Sequence, residues 1–451
     1  MLRRFVTSVV VILIIIAATI GAIYYFDRES ATLNAEEGYG TDPKLPPPNP
    51  QIFPTMHIAE ASSWPDGETP AAASGMKVVA FAKGLDHPRT LLVLPNGDVL
   101  VTETNKPKKE KQDFSIRGFV QGLVMGRAGA EVESANRISL LRDADGDGVA
   151  ESVTPFLENL NSPFGMTLSK GVLYVANTDA IMAFPYKDGD SKITAAGEKV
   201  ADLPGGPINH HWTKDLVVSP DGSKLYATSG SNSNVAENGM ENEVNRAAVL
   251  EIDLATKKTR LFASGLRNPN GITFNPQSGE IWVVVNERDE IGSDLVPDYM
   301  TSVKDGGFYG WPYSYYGQHV DDRVSPQKPD LVAKAIVPDY ALGPHTASLG
   351  LTFNTGKLFP AQFENGAFIG QHGSWNRMPR SGYKVIFVPF AQGKPSGPPL
   401  DILTGFIGPD DKARGRPVGV AMDKAGALLV ADDVGNIVWR VTPSAPQAAS
   451  N

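Results

Sequence analysis

The stretch HPRTLLVLPNGDVLVTE, residues His87–Glu103, contains two short apolar runs joined by Pro-Asn-Gly. Pro-Asn-Gly favours a tight turn, and the flanking runs have the length and composition of strands. Strands that are apolar over most of their length are typical of sheets packed on both faces. The stretch therefore predicts a β-hairpin inside a packed all-β domain.

The same hairpin pattern occurs six times after about residue 76. The other five copies are Ser162–Asp179, His211–Gly230, Asn268–Glu287, Ser348–Gly373 and Arg416–Asp433. Repeats roughly 50 to 90 residues apart suit four-stranded blades with insertions, and such blades pack radially around a central channel. We therefore predict an all-β, six-bladed β-propeller over residues 76–443 and a flexible tail over residues 444–451. A β-sandwich or a two-sheet barrel is the alternative.

The composition agrees with this fold and excludes several functions. The 451 residues include 45 glycines and 35 prolines, which favours many short strands over long helices. The net charge of −9 argues against nucleic acid as the main partner, because binding its phosphates needs a basic surface. The chain has no cysteine, which excludes disulfides, thiolate metal sites and cysteine nucleophiles. The sequence also lacks the motifs G-x-S-x-G, H-E-x-x-H and a strand-to-helix G-x-G-x-x-G.

The N-terminal residues 1–28 predict a membrane-spanning helix. Arg3 and Arg4 precede Phe5–Phe26, an apolar run of 22 residues without a charge, which is long enough to cross a bilayer. The positive-inside rule then places the propeller in the periplasm or another extracytoplasmic space. A cleaved signal peptide is the alternative. Residues 29–75, which include KLPPPNP, predict a proline-rich linker that holds the domain off the membrane.

Two histidines lead directly into the third repeat, in GGPINHHWTKD. In a propeller, ligands usually bind at one end of the channel, on loops next to the innermost strands. His210 and His211 stand at such a place, and a histidine near neutral pKa is a natural base for a hydroxyl proton. A pair of loop histidines without a catalytic role is the alternative.

Two acidic segments are candidates for Ca²⁺, which prefers six to eight oxygen ligands. The first is NERDEIGSDLVPD after the fourth repeat, with Glu287, Asp289, Glu290 and Asp294. The second is DADGDGVAE, which resembles the front half of an EF-hand loop but brings its glutamate too early. Its carboxylates are Asp143, Asp145, Asp147 and Glu151. A solvated acidic loop is the alternative for the first segment, and a metal-free hairpin turn for the second.

Cationic and amide side chains precede or follow other repeats. Arginine suits paired contacts with planar carboxylates, so several arginines around one channel predict a polyanionic ligand. Individually, each could be a surface charge. The residues are Arg267 and Asn268 before the fourth repeat, Arg380 after the fifth, and Arg414 and Arg416 around the start of the sixth.

These segments together resemble a known family. The motifs LPNGDVLVTE, LLRDADGDGVAE, HHWTKDLVVSPDG, LRNPNG, NERDEIGSDLVPDY, GGFYGWPY, GQHGSWNR and GRPVG are similar to those of the sorbosone dehydrogenase branch of the glucose/sorbosone dehydrogenases. The cofactor of that family is pyrroloquinoline quinone (PQQ). The similarity covers residues 76–443. It implies a six-bladed propeller enzyme that oxidises a sugar or a sugar-derived aldehyde by hydride transfer to the quinone, with Ca²⁺ as a Lewis acid.

The resemblance also implies roles for individual residues. His211 takes the place of the catalytic base, and His210 that of the residue that assists it. Arg288, Asp289 and Glu290 take the place of the loop that offers oxygens to the catalytic Ca²⁺. The residues implied to contact PQQ are Arg267, Asn268, Arg380, Arg414, Arg416, Asn161 and Asn232.

This chain departs from the family pattern at two points. Relatives with defined glucose sites have Gly-Pro where this chain has Asp289 and Glu290, and a carboxylate where it has His210. The electrons would pass to an acceptor in the membrane or the periplasm. Two other functions stay open. One is a Ca²⁺-dependent lactonase, whose metal ligands would include Asn161, Asn270 and Asp294, and the other is a non-catalytic propeller that binds a glycan or a protein.

Overall fold

The computed structural model describes residues 29–108 and 126–444, apart from Phe53, together with a few positions between Val10 and Gly21. Strands dominate the described residues, and the helices between residues 29 and 444 whose two ends both lie among those residues are single turns. They are one α-helical turn, α1 (Pro329–Val332), and three 3₁₀ turns at Ala35–Gly38, Met240–Glu243 and Ala361–Phe363. The prediction of an all-β fold is confirmed.

Six antiparallel sheets are the blades of a propeller, and two further strands, Ser314–Tyr315 and His319–Val320, form a separate two-stranded sheet. Three strands precede the first repeat: β1 (Tyr39–Gly40), β2 (Ala71–Ala72) and β3 (Met76–Lys83). Blade 1 contains β4 (Pro88–Val93), β5 (Val99–Glu103), β6 (Arg137–Arg142) and β7 (Ser152–Leu157). Blade 2 contains β8 (Met166–Ser169), β9 (Val172–Ala176), β10 (Ala180–Pro185) and β11 (Glu198–Asp202). Blade 3 contains β12 (Leu216–Val218), β13 (Lys224–Ser229), β14 (Ala248–Asp253) and β15 (Thr259–Ser264).

Blades 4 and 5 are larger than the others. Blade 4 contains β16 (Asn268–Phe274), β17 (Ile281–Asn286), β18 (Pro297–Ser302) and β21 (Tyr340–Pro344), with the small hairpin β19 (Ser314–Tyr315) and β20 (His319–Val320) between them in sequence. Blade 5 contains β22 (Ser348–Phe353), β23 (Gly366–Gln371), β24 (Lys384–Ala391), β25 (Lys394–Pro395) and β26 (Leu400–Thr404). Blade 6 contains β27 (Pro417–Met422), β28 (Leu428–Asp432) and β29 (Ile437–Pro443).

The ring closes through strand β3. This strand comes from the N-terminal side of the domain, yet it is the outermost strand of blade 6 and pairs antiparallel with β29. The innermost strands β4, β8, β12, β16, β22 and β27 contact one another in that order around the ring, and β27 returns to β4. Closure leaves no long unpaired inner edge, which is how propellers avoid edge-to-edge aggregation. The predicted six-bladed propeller is confirmed.

Residues 29–75, which we name the strap, differ from the predicted spacer because they pack on the propeller. Strand β1 adds to the outer edge of blade 4 by pairing with β21, and β2 adds to blade 5 by pairing with β26. Trp64 packs edge-on against Phe406 and Trp439, with ring centroids 5.5 and 5.4 Å apart, and its Nε1–H donates to Asp432 at 2.7 Å. The proline-rich composition does not predict these contacts. A few apolar side chains are enough to dock an extended chain, and they leave no periodic pattern in the sequence.

The two terminal segments predicted from the sequence lie mainly outside the residues that the structure describes. We find no apolar helix of membrane-spanning length among the residues that the structure describes. The predicted anchor, residues 1–28, lies largely outside those residues and stays a prediction. The predicted tail, apart from Ser444, lies outside them as well.

Candidate active site at the mouth of the channel

One end of the channel gathers the polar residues. Each innermost strand is antiparallel to the next strand of its blade, so the start of the first and the end of the second lie at the same end of the channel. We name this end the mouth. Buried or half-buried polar side chains from all six blades stand at such positions. They include His87, Arg89, Asn177, His211, Arg267, Asn268, Glu287, His372, Arg416 and Asp433.

The channel floor below the mouth is apolar. Phe164 of blade 2, Leu349 of blade 5 and Val418 of blade 6 are buried and pack in one cluster, with Trp212 of blade 3 beside them. Because blades 2 and 5 lie opposite each other in a six-membered ring, this cluster fills the channel from side to side. A small ligand would therefore bind above it, among the polar side chains of the mouth.

His211 has an orientation set by backbone. Its Nδ1 lies 2.7 Å from the carbonyl oxygen of Ser231 and 3.1 Å from the Ser231 hydroxyl. A carbonyl oxygen only accepts, so Nδ1 carries the proton and Nε2 presents the lone pair. Burial, followed by the positive charges of His210 and Arg267, holds the pKa of His211 well below 6.5. The imidazole is therefore neutral at pH 7, which is the state that a general base needs.

The residues next to His211 come from blades 3 and 4. The rings of His210 and His211 meet edge-on with centroids 4.7 Å apart, and the His210 N–H donates to Asn232 Oδ1 at 3.2 Å. A Cβ atom on Gly230 would stand 2.2 Å from Asn268 Oδ1 and 2.5 Å from His211 Cβ. Glycine is therefore required there, and it lets the His211 and Asn268 side chains approach each other. The structure therefore brings four predicted residues together, which are His210, His211, Asn232 and Asn268.

Arg267 belongs to the same group, but its guanidinium is committed to protein atoms. It donates to the carbonyl of Glu287 at 2.5 Å, to Asn234 Oδ1 at 3.0 Å and to Asp289 Oδ2 at 3.2 Å. The side chain is 4% exposed. Arg267 thus joins blades 3 and 4 beside His211 and contributes a fixed positive charge there.

The predicted Ca²⁺ loop is held in place by ion pairs and hydrogen bonds to neighbouring segments. Arg288 forms a buried ion pair with Asp321, with 2.8 Å between Nε and Oδ2. Asp289 contacts Arg267 through Oδ2 and His345 Nδ1 through Oδ1 at 3.2 Å, and these cations lower its pKa although burial opposes the change. Asn376 Oδ1 accepts from the Glu290 N–H at 2.7 Å. The carboxylate of Asp289 is therefore engaged, and a cation bound there would have to use loop carbonyl oxygens.

The three arginines predicted to bind cofactor carboxylates lie on the side of blades 5 and 6, under the strap. Arg380 donates to the carbonyls of His57 at 3.0 Å and Ile58 at 3.1 Å and pairs with Asp411. Arg414 pairs with Glu68 of the strap. The structure therefore commits both side chains to groups that hold residues 57–68 in place.

Arg416 differs from these two arginines. It donates to the carbonyl of Ala59 at 3.1 Å and lies over the Tyr383 ring, 5.4 Å from its centroid. Its Nε is buried without a hydrogen-bond partner, and among the described residues we find no carboxylate paired with its guanidinium. A buried guanidinium without a carboxylate is expected to attract an anionic group.

A cluster around Asp433, which was not predicted from the sequence, bridges blades 1, 5 and 6. Its Oδ2 lies 2.8 Å from His372 Nε2 and 3.4 Å from His87 Nε2, and it pairs with Arg89. These groups hold the pKa of Asp433 far below its usual range, whereas burial lowers the pKa of His87 to about 4. The signal was present, since His87 and Arg89 open the first repeat and Asp433 closes the sixth.

The second acidic segment lies far from the mouth. Residues 143–151 connect β6 to β7, so they stand at the opposite end of the channel axis. One carboxylate oxygen from each of Asp143, Asp145, Asp147 and Glu151 lies within 4.8 Å of the others. Backbone N–H groups of the turn donate to these carboxylates, as in the Asp143 bonds to Gly146 at 2.7 Å and Gly148 at 2.9 Å. The group has the geometry for a cation, while the same bonds also suffice for a turn.

The residues predicted as metal ligands of a lactonase are either bonded to other protein groups or exposed. The Asp294 carboxylate accepts from the backbone and hydroxyl of Thr32 at 2.6 and 2.8 Å and lies 3.6 Å from Arg377. Asn270 accepts from the Thr213 hydroxyl at 2.9 Å, and Asn161 is exposed. The carboxylate that such a metal site would use is therefore committed to the strap.

A surface cavity of about 510 Å³ lies elsewhere, between the outer strands of blades 2 and 3. Its lining includes Lys199, Asp202, Pro204 and Lys257 and none of the polar residues of the mouth. Size alone does not make it the active site, because it lacks converging groups that could carry chemistry.

A protein-family model matches more than half of this chain. The family model described as a domain of unknown function, DUF7133, matches residues 110–374. This chain belongs to the DUF7133 family. A second model, described as TrAA12-like, matches residues 323–444, which contain strands β22–β26 of blade 5 and strands β27–β29 of blade 6 of this DUF7133 protein.

Similar proteins include PQQ-dependent sugar dehydrogenases. An uncharacterised protein of Borreliella burgdorferi is 29% identical over 370 residues, which cover 78% of this chain and 95% of that protein. A PQQ-dependent pyranose dehydrogenase of Coprinopsis cinerea is 22% identical over 361 residues, 70% of this chain. The match spans 44% of the length of that enzyme.

Solved structures share the fold. A Trichoderma reesei carbohydrate-active enzyme of family AA12 has a TM-score of 0.68 at 20% identity, covering 87% of this DUF7133 chain and 100% of the other. The holo PQQ domain of the Coprinopsis cinerea pyranose dehydrogenase also has a TM-score of 0.68, at 19% identity, with 86% and 100% covered. The soluble aldose sugar dehydrogenase of Escherichia coli has a TM-score of 0.54 at 18% identity, with 82% and 100% covered. At such identities the similarity establishes the propeller fold.

Proposed function

We propose that this DUF7133 protein is a PQQ-dependent dehydrogenase that oxidises a sugar or a sugar-derived aldehyde, of the aldose or sorbosone type. The observation that carries the proposal is the state of His211. Its Nδ1 is fixed by the Ser231 carbonyl at 2.7 Å, its pKa is held below 6.5, and its Nε2 is left as the acceptor beside the mouth. A neutral, oriented imidazole above an apolar floor suits removal of a hydroxyl proton.

The residues of the mouth fit an anionic quinone cofactor at two points. PQQ carries carboxylates, and the buried Arg416 guanidinium has a free Nε and no carboxylate partner among the described residues. Arg267 adds a second positive charge on the His211 side. Arg380 and Arg414 fit less well, because their guanidiniums already bind the strap. We therefore expect Arg416 to make the main carboxylate contact.

The chemistry divides between the chain and the cofactor. PQQ, when bound, supplies an acceptor for the two electrons of a hydride. His211 Nε2 takes the proton from a hydroxyl of the sugar, or of the hydrated form of an aldehyde substrate, and the Ser231 carbonyl stabilises the imidazolium that forms, because the Nδ1 hydrogen bond strengthens when the ring is charged. Burial, with the charges of His210 and Arg267, lowers the pKa of His211 and keeps the imidazole neutral before the reaction, and the floor around Phe164 and Trp212 excludes water from below.

Ca²⁺ belongs to the proposal in two separate places. One structure of the Trichoderma reesei relative is described as a calcium structure. In this chain the loop carbonyls of residues 288–290 would hold the ion of the mouth, and its charge would polarise a bound quinone. The Asp143 group at the other end of the channel would hold a structural ion. Chelation should therefore lower activity through the first site and thermal stability through the second.

The test is reconstitution of the purified protein. PQQ is titrated into it by calorimetry with and without Ca²⁺, and dye reduction is then followed with a panel of aldoses and sugar aldehydes. We expect PQQ binding and sugar-dependent dye reduction that requires PQQ. Absence of both binding and turnover would contradict the proposal. Binding of a glycan without turnover would instead favour the non-catalytic propeller.

We further propose that Phe5–Phe26 anchors the propeller in a membrane, on the extracytoplasmic side, where electrons could pass to a membrane or periplasmic acceptor. The support is the charge-free apolar sequence after Arg3 and Arg4. The full chain should fractionate with membranes and resist extraction by high salt, whereas a chain starting at Glu29 should not. Release of both forms by salt would contradict the anchor.

A further inference from the structure

The orientation of His211 depends on two chain segments that meet at the mouth. The first is the turn before β12, which carries His211 itself. The second is the end of β13, where the Ser231 carbonyl accepts from His211 Nδ1. Ser231 is in turn fixed by its N–H, which donates to the Arg267 carbonyl at 2.8 Å. The imidazole keeps its direction only if both segments hold their relative positions.

One buried guanidinium bridges these two segments. Arg246, at the turn before β14, is 5% exposed. Its NH1 donates to the Gly230 carbonyl at 3.0 Å, directly before Ser231. Its NH2 donates to Asn209 Oδ1 at 2.8 Å, two residues before His211. The fork of one side chain therefore ties the base-carrying turn to the strand end that orients the base.

The hydrogen bonds of Arg246 also connect, through Asn209, to Trp212, the residue that follows His211. Asn209 has a φ of +38°, in the left-handed region, so its backbone needs support to keep this conformation. Its Nδ2 donates to the Thr178 hydroxyl at 2.7 Å, and that hydroxyl donates to the Trp212 carbonyl at 2.9 Å. Arg246 thus acts through Asn209 and Thr178 on the residue that follows His211 as well.

The charge of Arg246 matters in addition to its shape. Burial lowers its pKa to about 10, so the guanidinium stays protonated at pH 7. Besides Asn209 and Gly230, it donates to the carbonyls of Pro204 and Gly205, and among the described residues it forms no ion pair with a carboxylate. Its positive charge is one of the causes that lower the pKa of His211.

We propose that Arg246 is a positioning residue for the base, holding the His211 turn against the Ser231 carbonyl so that Nε2 presents its lone pair at the mouth. The expected changes in kcat and KM rest on the proposed function. The orientation and the tautomer of His211 belong to the protein without cofactor and can be measured separately.

Two variants separate the shape of Arg246 from its charge. Arg246→Met removes both, whereas Arg246→Lys keeps the charge and removes the fork. Arg260→Gln is the matched control, because Arg260 is an exposed arginine of the same blade that pairs with Glu251 and Asp305. The three proteins and the parent are compared by ¹⁵N NMR of the histidine rings without PQQ, with His211→Gln assigning the signal, and by kcat and KM after reconstitution.

We expect the Nδ1–H tautomer of His211 in the parent and in Arg260→Gln. Arg246→Met should raise the pKa of His211, mix its tautomers and lower kcat about 10²-fold with little change in KM, the loss expected for a misplaced catalytic group. Arg246→Lys should keep the low pKa of His211 but recover only part of kcat. If Arg246→Met does not fold, the lysine variant carries the test, since parental kcat in that protein would overturn the role of the fork.

The outcomes distinguish the two proposals. Unchanged histidine signals and parental kcat in both Arg246 variants would show that Arg246 does not position His211, while the dehydrogenase activity of the parent would stand. Altered histidine signals in a protein that never oxidises sugars would support the positioning role and contradict the dehydrogenase. If the Arg246 variants have a lower kcat and a lower melting temperature but parental histidine signals, Arg246 has only a structural role.

Discussion

The two sides of the channel mouth use the same kinds of residue in opposite ways. On the side of blades 3 and 4, the polar groups orient one another and leave His211 Nε2 as an acceptor. On the side of blades 5 and 6, Arg380 and Arg414 are held by backbone and carboxylate groups of the strap. The family resemblance implies that residues of both sides contact one cofactor.

The difference shows that a residue in the right place in a motif need not be chemically available. A guanidinium has five donors, and its affinity for an added carboxylate falls as protein acceptors occupy them. Arg267, Arg380 and Arg414 are occupied in this way, while Arg416 keeps a buried Nε without a partner. Availability, and not the presence of arginine, should therefore decide which variants lose cofactor.

The strongest test of the His211 side is His211→Gln. Loss of the base should lower kcat/KM by roughly 10²- to 10⁴-fold, because glutamine cannot take the substrate proton. PQQ affinity, measured by calorimetry, should change little. Parental turnover in this variant would remove the central argument for this side of the mouth.

The Asp433 cluster ties the opposite side to blade 1, and Asp433→Asn should break it. The change leaves the Arg89 guanidinium buried without its carboxylate, so we expect a loss of about 3–5 kcal/mol in the free energy of unfolding. Urea denaturation measures this loss. Asp411→Asn is the control, since Asp411 is 68% exposed in its pair with Arg380, and it should change stability by less than about 1 kcal/mol.

Arg416→Ala and Arg414→Ala compare an available arginine with an engaged one. A hydrogen bond to a charged group contributes about 1.5–3 kcal/mol, so Arg416→Ala should weaken PQQ binding by roughly 10- to 100-fold. Arg414→Ala should leave the dissociation constant close to that of the parent, because Arg414 already pairs with Glu68. Equal losses in both variants would mean that the strap releases Arg414 when the cofactor binds.

The pH dependence should show the smallest effect. Because the pKa of His211 is lowered, the base is neutral above its pKa, and kcat/KM should rise with pH along an acidic limb whose midpoint lies below 6.5. At pH 7 and above, this group should no longer limit the rate. A midpoint above 6.5 in the reconstituted enzyme would show that burial and the cations around His211 do not set its protonation.

The sequence by itself determined the architecture of the propeller. Six apolar hairpins with Gly-containing turns suit only a few all-β folds, because local turn chemistry and strand burial are both readable along the chain. The positions of His211, Arg267 and Asn268 at the mouth followed from where they stand relative to those hairpins. The Asp143 turn was found in the same way, since its spacing is local.

The tertiary structure alone decided which of these residues are available for chemistry. Ser231 and Arg246 act through contacts between separate segments of blade 3, and Asp433 acts through contacts between blades. Trp64 brings the strap across the arginines by donating to Asp432, 368 positions further along the chain. Such contacts join residues that are distant in sequence and leave no periodic signal. The sequence therefore determined where the mouth lies, and long-range packing decided that His211 Nε2 is left as an acceptor while most of the arginine side holds the strap.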